Sequence, residues 1–379
     1  MLSIRKKHSL LKIVNSFLVD LPAPMNFNHF YSFGSILGVI LCLQLVTGIF
    51  LSFQFTADTG ISFESVVHMM RDVNWGWLLR VVHANGASLF FLFVYIHMGR
   101  GLYYGSYNLK MSWNMGVVIY VLLVVTAFLG YVLPWGQMSF WAATVIINLV
   151  SAIPYLGTEL VEWVWGGFGV SNPTLVRFFS FHYVLPFVVL VVVCLHCFFL
   201  HVETSTNPLG VNSKGMKVSF HVFYSYKDIF GFTVVFFVLL FIVLFYPFIF
   251  MDPENFIPAN PMVTPVHIQP EWYFLFIYAM LRCIPSKLGG FVVVILAIVV
   301  FLCSHVIFSS FIWGVNFFFV GKMMFWGFVS NFFMLSWLGS CAVEYPYDVL
   351  SLVFTLVYFG YFFSMSVLFY FYKFYMSVS

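Results

Sequence analysis

The chain has 379 residues, of which 62% are hydrophobic, 22% aromatic and only 8% charged, with a formal net charge of +3. Soluble domains carry roughly 25% charged residues, so a solvated globular enzyme is excluded. No basic face for nucleic acid and no acidic tail is available either. The composition is that of a chain immersed in lipid.

In chain order, residues 1–14 (MLSIRKKHSLLKIV) hold a basic cluster but no continuous apolar core with a small-residue cleavage site, so no secretory signal is expected there. A helix needs about 20 apolar residues to cross a hydrocarbon layer of about 30 Å. Eight such segments centre on 33–53, 77–99, 115–133, 179–200, 229–249, 289–310, 321–340 and 350–371. The expected fold is an all-α integral membrane protein with eight transmembrane helices, divided into a domain over 1–210 and a second over 211–379. Between the third and fourth spans, residues 134–178 carry Pro134, Trp135, Trp141, Trp163 and Trp165, which suits short helices lying in the interface.

Eight spans would put both termini on one side. That side would hold Arg5, Lys6, Lys7, Lys12, Arg100, Lys110, Lys214, Lys217, Lys227, Lys322 and Lys373, whereas the other would hold only Arg71, Arg80, Arg177, Arg282 and Lys287. By the positive-inside rule the termini are expected on the negative side. Cys42, Cys194, Cys197 and Cys303 fall inside spans and are expected to be small packing residues. Cys194-Leu-His-Cys197 lacks the C-x-x-C-H order of covalent haem attachment.

The second span contains HANGASLFFLFVYIH, with His83 and His97 14 residues apart. At 100° per residue both face about the same way, separated by about 21 Å along the axis. The fourth span repeats the interval in HYVLPFVVLVVVCLH, at His182 and His196. A lone intramembrane histidine is ordinarily a packing residue or part of a proton path. Four at matched spacing on two helices instead offer two facing pairs of imidazole ligands, which suits two low-spin haem irons; zinc would gather its ligands at one point.

Gly34 and Gly48 in the first span, and Gly116 and Gly130 in the third, repeat the interval of 14. Singly, such glycines permit close helix packing; at the histidine interval they read as clearance for two macrocycles. Arg80 and Arg100 stand one turn outside His83 and His97. Each could be an interfacial anchor, or, beside the histidines, a partner for haem propionates.

These features, with GYVLPWGQMSFWAATVI at 130–146 and PEWYFLF at 270–276, resemble the mitochondrial cytochrome b family, the membrane core of ubiquinol:cytochrome c reductase (complex III), over essentially the whole chain. The resemblance implies an N-terminal four-helix bundle enclosing two non-covalent b-type haems. His83 and His182 would hold the low-potential haem near the positive side, and His97 and His196 the high-potential haem near the negative side. It also implies ubiquinol and ubiquinone as substrates, Rieske iron-sulfur protein and cytochrome c1 subunits with accessory subunits as partners in a dimeric complex, and the mitochondrial inner membrane as location, with both termini on the matrix side.

For the positive-side quinol site the resemblance implies Glu271 as proton acceptor, with Tyr131, Tyr278, Ala142, Pro270, Trp272 and Tyr273 around it. A carboxylate ahead of an apolar stretch is costly unless exposed, paired or protonated, and a raised pKa would suit a proton acceptor; the alternative is an acid at a helix N-terminus. For the negative-side quinone site the resemblance implies His201, Ser205 and Asp228, with Lys227 adjacent. The segment His201-Val202-Glu203-Thr204-Ser205 departs from the family's His-Glu-Thr-Gly-Ser order.

Two other readings stand beside this one. A secondary transporter would suit eight spans but needs no histidines at identical spacing, and a di-haem anchor of a hydrogenase or formate dehydrogenase would lack PEWY and the four glycines. Ala142 is a further departure, since most of the family has glycine there. The added methyl group is expected to lower sensitivity to methoxyacrylate inhibitors, so Ala142→Gly should shift the dose-response curve to lower concentration; coincident curves would refute this.

Overall fold

A computed structural model describes residues 3–308 and 314–378. It is almost entirely helical, with one two-stranded antiparallel ribbon pairing β1 (Pro22–Pro24) with β2 (Lys217–Ser219). The long helices are α1 (Phe33–Ser52), α3 (Gly76–Tyr103), α4 (Lys110–Val132), α7 (Asn172–Glu203), α8 (Phe220–Phe245), α11 (Phe319–Ser340) and α12 (Tyr347–Val378). Shorter ones are α2 (Ser62–Arg71), α5 (Gln137–Leu149), α6 (Gly157–Trp165), α9 (Leu275–Arg282) and α10 (Lys287–Leu302). The interfacial helices expected over 134–178 are α5 and α6.

Among the described residues six helices are long and apolar enough to cross a membrane: His29–Ser52, Gly76–Tyr103, Lys110–Val132, Asn172–Glu203, Phe220–Phe245 and Tyr347–Tyr372. The expected count of eight is therefore met by six on length and apolarity. The sixth expected span, 289–310, is realised as α10, whose 16 residues reach about 24 Å before a break at Cys303. Its last two residues, Ser309 and Ser310, lie outside the described residues. The seventh is the 22-residue α11, diluted by Lys322, Ser330, Asn331 and Ser336.

Local chemistry sets the boundaries. Ser171 and Thr174 form a reciprocal capping box and Pro173 sits in the first turn of α7, where its missing N–H costs nothing. Trp75 takes a left-handed conformation (φ 63°) immediately before α3. At the far end of that helix a Cβ on Gly101 would meet the Trp113 ring at 2.5 Å, so only glycine lets α3 and α4 approach there.

α1 packs on α3, and α4 on α7, while α8 leans against α1 and α3. Ile36, Ile40, Leu41, Phe90, Phe91, Val94, Tyr120, Leu123 and Val189 fill the middle of this bundle, joined by Val235 and Tyr273. A second core gathers α9, α10, α11 and α12 around Ala279, Met280, Leu335, Tyr358 and Met365. Arg282 closes the C-terminus of α11 by donating to the carbonyls of Leu338 (3.0 Å), Gly339 (2.9 Å) and Cys341 (3.0 Å), which a helix end otherwise leaves open.

Candidate functional site

The expected histidine pairs are brought together. The His83 and His182 rings lie 6.3 Å apart between centroids, and so do those of His97 and His196. Two metal–nitrogen bonds of about 2 Å plus two ring half-widths of about 1.1 Å give about the same span, so one metal ion fits between each pair. Among the described residues no three His, Cys, Asp or Glu side chains converge, which sets these pairs apart from a clustered metal site.

A neighbouring helix orients each ring through Nδ1. His182 Nδ1 lies 2.8 Å from the Thr126 carbonyl, and His196 Nδ1 2.7 Å from the Ser112 carbonyl. A carbonyl only accepts, so Nδ1 carries the proton and Nε2 keeps its lone pair for a metal. His83 Nδ1 lies 2.8 Å from Thr47 Oγ1, whose own hydrogen is directed to the Leu43 carbonyl at 2.7 Å, so His83 donates as well. His97 differs: Arg100 Nη2 faces its Nδ1 at 3.3 Å, and a guanidinium can only donate. His97 frees its Nε2 when Arg100 turns away toward an anion.

Both arginines are placed to meet an anionic group. Arg100 lies over the Tyr31 ring at 4.9 Å, and its buried Nε has no partner among the described residues. Arg80 makes no hydrogen bond or ion pair with described residues and borders two cavities beside His83 and His182. The donor set, the spacing and two arginines with no carboxylate salt bridge among the described residues together fit a bis-imidazole macrocycle with acidic side arms.

Each glycine faces one histidine. A Cβ on Gly48 would meet His83 Cε1 at 3.2 Å, one on Gly34 would meet His97 Cε1 at 3.3 Å, and one on Gly116 would meet His196 Cε1 at 3.4 Å. On Gly130 it would clash with His182 Cε1 and crowd both ring nitrogens. The clearance expected for a macrocycle is in this structure taken up by the imidazole edges.

A cavity of 520 Å³ runs from His83, His182 and Arg80 to Tyr131, Tyr273, Asp252 and Glu271. Beside it, residues 255–259 are tied to the start of α5: Gln137 N donates to the Ile257 carbonyl at 2.8 Å, Ala259 N to that of Trp135 at 3.0 Å, and Ser139 N to Asn255 Oδ1 at 2.9 Å. Burial pushes the Glu271 carboxyl up to about 8; Asp252 adds to this and Arg80 opposes it. Tyr273 stacks on Phe91 with centroids 4.2 Å apart, fixing PEWY to α3.

Other expected members of this site lie outside the cavity lining. The Tyr278 hydroxyl donates to the Ile268 carbonyl at 2.9 Å, and Arg282 covers its ring. Ala142 is buried within α5, and Pro270 and Trp272 do not border the cavity. Asp252, Asn255 and Gln137 escaped the sequence reading. An Asp-Pro turn at 252–253 was the one visible signal, since Asp252 Oδ1 caps it through Glu254 N at 2.8 Å.

On the opposite side, His201 packs on Phe17 with centroids 4.2 Å apart, and Asp228, 8% exposed, has the Ser32 and Ser35 side chains beside it. Lys227 Nζ donates to the Phe27 carbonyl at 3.0 Å, and Ser205 lies half-buried past the end of α7. No hydrogen bond or ion pair joins these four among the described residues. Ser32, Ser35 and Phe17, from the N-terminal stretch and the start of α1, are the additions here.

Comparison with known proteins covers nearly the whole chain. The family description Cytochrome b/b6/petB matches residues 18–204, and Cytochrome b(C-terminal)/b6/petD matches 258–359. The protein described as Cytochrome b from Brachionus plicatilis is 56% identical over 372 residues, 97% of each chain. A solved chain of "Hyperthermophilic respiratory Complex III" superposes with a TM-score of 0.90 at 29% identity, covering 96% of this chain and 98% of that one.

The glycine contacts rank in severity. Gly130→Ala is expected to displace His182 and remove one of two bis-histidine chromophores, whereas Gly116→Ala should leave both. Visible spectra of the two variants decide this; equal loss in both would contradict it.

Proposed function

The chain belongs to the cytochrome b family, and on that premise we infer that it is the membrane subunit of a respiratory complex III, oxidising quinol on one side of the membrane and reducing quinone on the other. The observation that carries this reading is the pair of facing histidine couples, each 6.3 Å across, repeated at one interval on α3 and α7. Haem b bound at both would supply one-electron transfer without an open coordination position.

The chain's own residues do the rest. His83 with His182, and His97 with His196, hold the two groups by Nε2, the first the low-potential one. Arg80 and Arg100 meet their acidic arms. Phe90, Phe91, Val94, Leu123 and Val189 keep water out of the space between them. At the positive-side cavity Glu271 takes a proton from quinol and can release it past Asp252 toward water, with Tyr131 and Tyr273 shaping the wall. Tyr278, Ala142, Pro270 and Trp272 support that wall from behind. On the negative side His201 and Asp228 supply protons to quinone, with Ser205 and Lys227 beside them.

In this reading α10 and α11 also cross the bilayer, giving eight crossings, with a di-haem domain over 1–210 and a second domain over 211–379. Both termini lie on the negative side, the matrix face of a mitochondrial inner membrane. Rieske iron-sulfur protein and cytochrome c1 subunits complete the pathway in a dimeric assembly, because no Cys-rich cluster motif is present in this chain.

A redox titration of reduced-minus-oxidised spectra is expected to resolve two b-type components, and replacing His182 should abolish the low-potential one alone. Absence of both in the wild type would refute the reading in favour of a transporter. The carboxyl of Glu271, at about 8, is protonated below that pH and accepts no proton, so quinol oxidation should rise with pH through about 8. Glu271→Gln should flatten that limb and slow the rate roughly tenfold, less than general-base loss usually costs because Asp252 shares the cavity. An unchanged pH profile in the variant would count against Glu271.

A further inference from the structure

The first turn of α4 has no cap of its own. Leu109 occupies the N-cap position and its side chain offers no acceptor, while the first four N–H groups of any helix lack intrahelical partners. Glu203, the last residue of α7, fills the gap from the neighbouring helix. Its Oε1 accepts from Met111 N at 3.4 Å and its Oε2 from Ser112 N at 3.3 Å. A carboxylate at a helix N-terminus is also favoured by the macrodipole.

Ser112 is the residue whose carbonyl accepts from His196 Nδ1 at 2.7 Å, and its hydroxyl donates back to the His196 carbonyl at 3.4 Å. One turn further on, Gly116 faces the same imidazole edge. Glu203 and His196 thus grip the two faces of one peptide segment, and both stand on α7, seven residues apart. If the carboxylate lets go, the turn carrying Ser112 loses the side-chain cap it has among the described residues, and the His196 acceptor loses its fixed position.

We propose that Glu203 is a positioning residue for the His97/His196 haem site, holding the Ser112 carbonyl as the acceptor that orients and polarises His196. The proposal rests on the reading that haem occupies this pair. An Nδ1–H···O=C bond makes an imidazole a stronger electron donor to bound metal, which favours the oxidised form; weakening it favours the reduced form. None of the other three histidines depends on Glu203: Thr47, Thr126 and Arg100 attend them.

The test is a potentiometric titration with low-temperature electron paramagnetic resonance on membranes holding the assembled complex. Glu203→Ala should raise the reduced-to-oxidised ratio of the high-potential component at fixed ambient potential by up to about tenfold, or about 59 mV for one electron. Its low-field g signal should move while that of the low-potential component stays in place. Glu203→Gln, which keeps one carbonyl acceptor, should give a smaller shift of the same sign and stands in should the alanine variant fail to assemble. Two wild-type components with neither shifted by Glu203→Ala or Glu203→Gln, or with both shifted equally, would overturn this inference alone. A wild type without two b-type components would overturn the reading beneath it.

Discussion

An imidazole buried in lipid can offer one nitrogen to a metal only if its other nitrogen has somewhere to direct its proton. The arrangement of the first bundle follows from that requirement. Thr47 on α1 serves His83 on α3, and Thr126 and Ser112 on α4 serve His182 and His196 on α7. The helix pairs that exchange these contacts, α1 with α3 and α4 with α7, are among the most extensively packed. Glycine at 34, 48, 116 and 130 lets each acceptor helix come near enough, because any larger side chain would press on the ring it is meant to hold.

The fourth histidine shows what happens when that acceptor is replaced by a cation. His97 faces Arg100, whose stacking on Tyr31 and unpartnered Nε leave it only partly satisfied. A buried guanidinium with spare donors has every reason to turn to an anion, and turning releases His97 for a metal. In the proposed function Arg100 and His97 would thereby be linked: the group that supplies the anion would also prepare its own ligand.

Much of this was legible in sequence because side-chain identity carries it. The interval of 14 in His83/His97, His182/His196 and the four glycines survives in the fold unchanged, since helix geometry converts spacing directly into direction. Acceptors were not legible: Thr126 and Ser112 act through backbone carbonyls, which leave no mark on sequence. The expected span over 289–310 is divided at the end of α10 for a related reason. Apolar residues stand on both sides of Cys303-Ser304-His305, so a span reads straight through, but the helix breaks at Cys303. The Tyr278 contact was not legible either, because spacing puts a residue on a face without saying what its hydroxyl will meet, here the Ile268 carbonyl.

The 520 Å³ cavity joins what the chemistry has to separate. His83 and His182 border one end and Glu271 the other, with Arg80 and Tyr131 between. In the proposed function a quinol bound there would give up negative charge at one end and positive charge at the other within one enclosed volume, where low dielectric magnifies any charge left behind. Burial and Asp252 hold Glu271 in its neutral form, and Arg80 draws it toward the ionised one. The carboxyl is therefore poised so that a small change in the charge around Arg80 alters its willingness to take a proton. Since Arg80 stands one turn from His83, the proposed function would couple electron acceptance near the histidine to proton acceptance at Glu271 through a single guanidinium, with no need for a moving part.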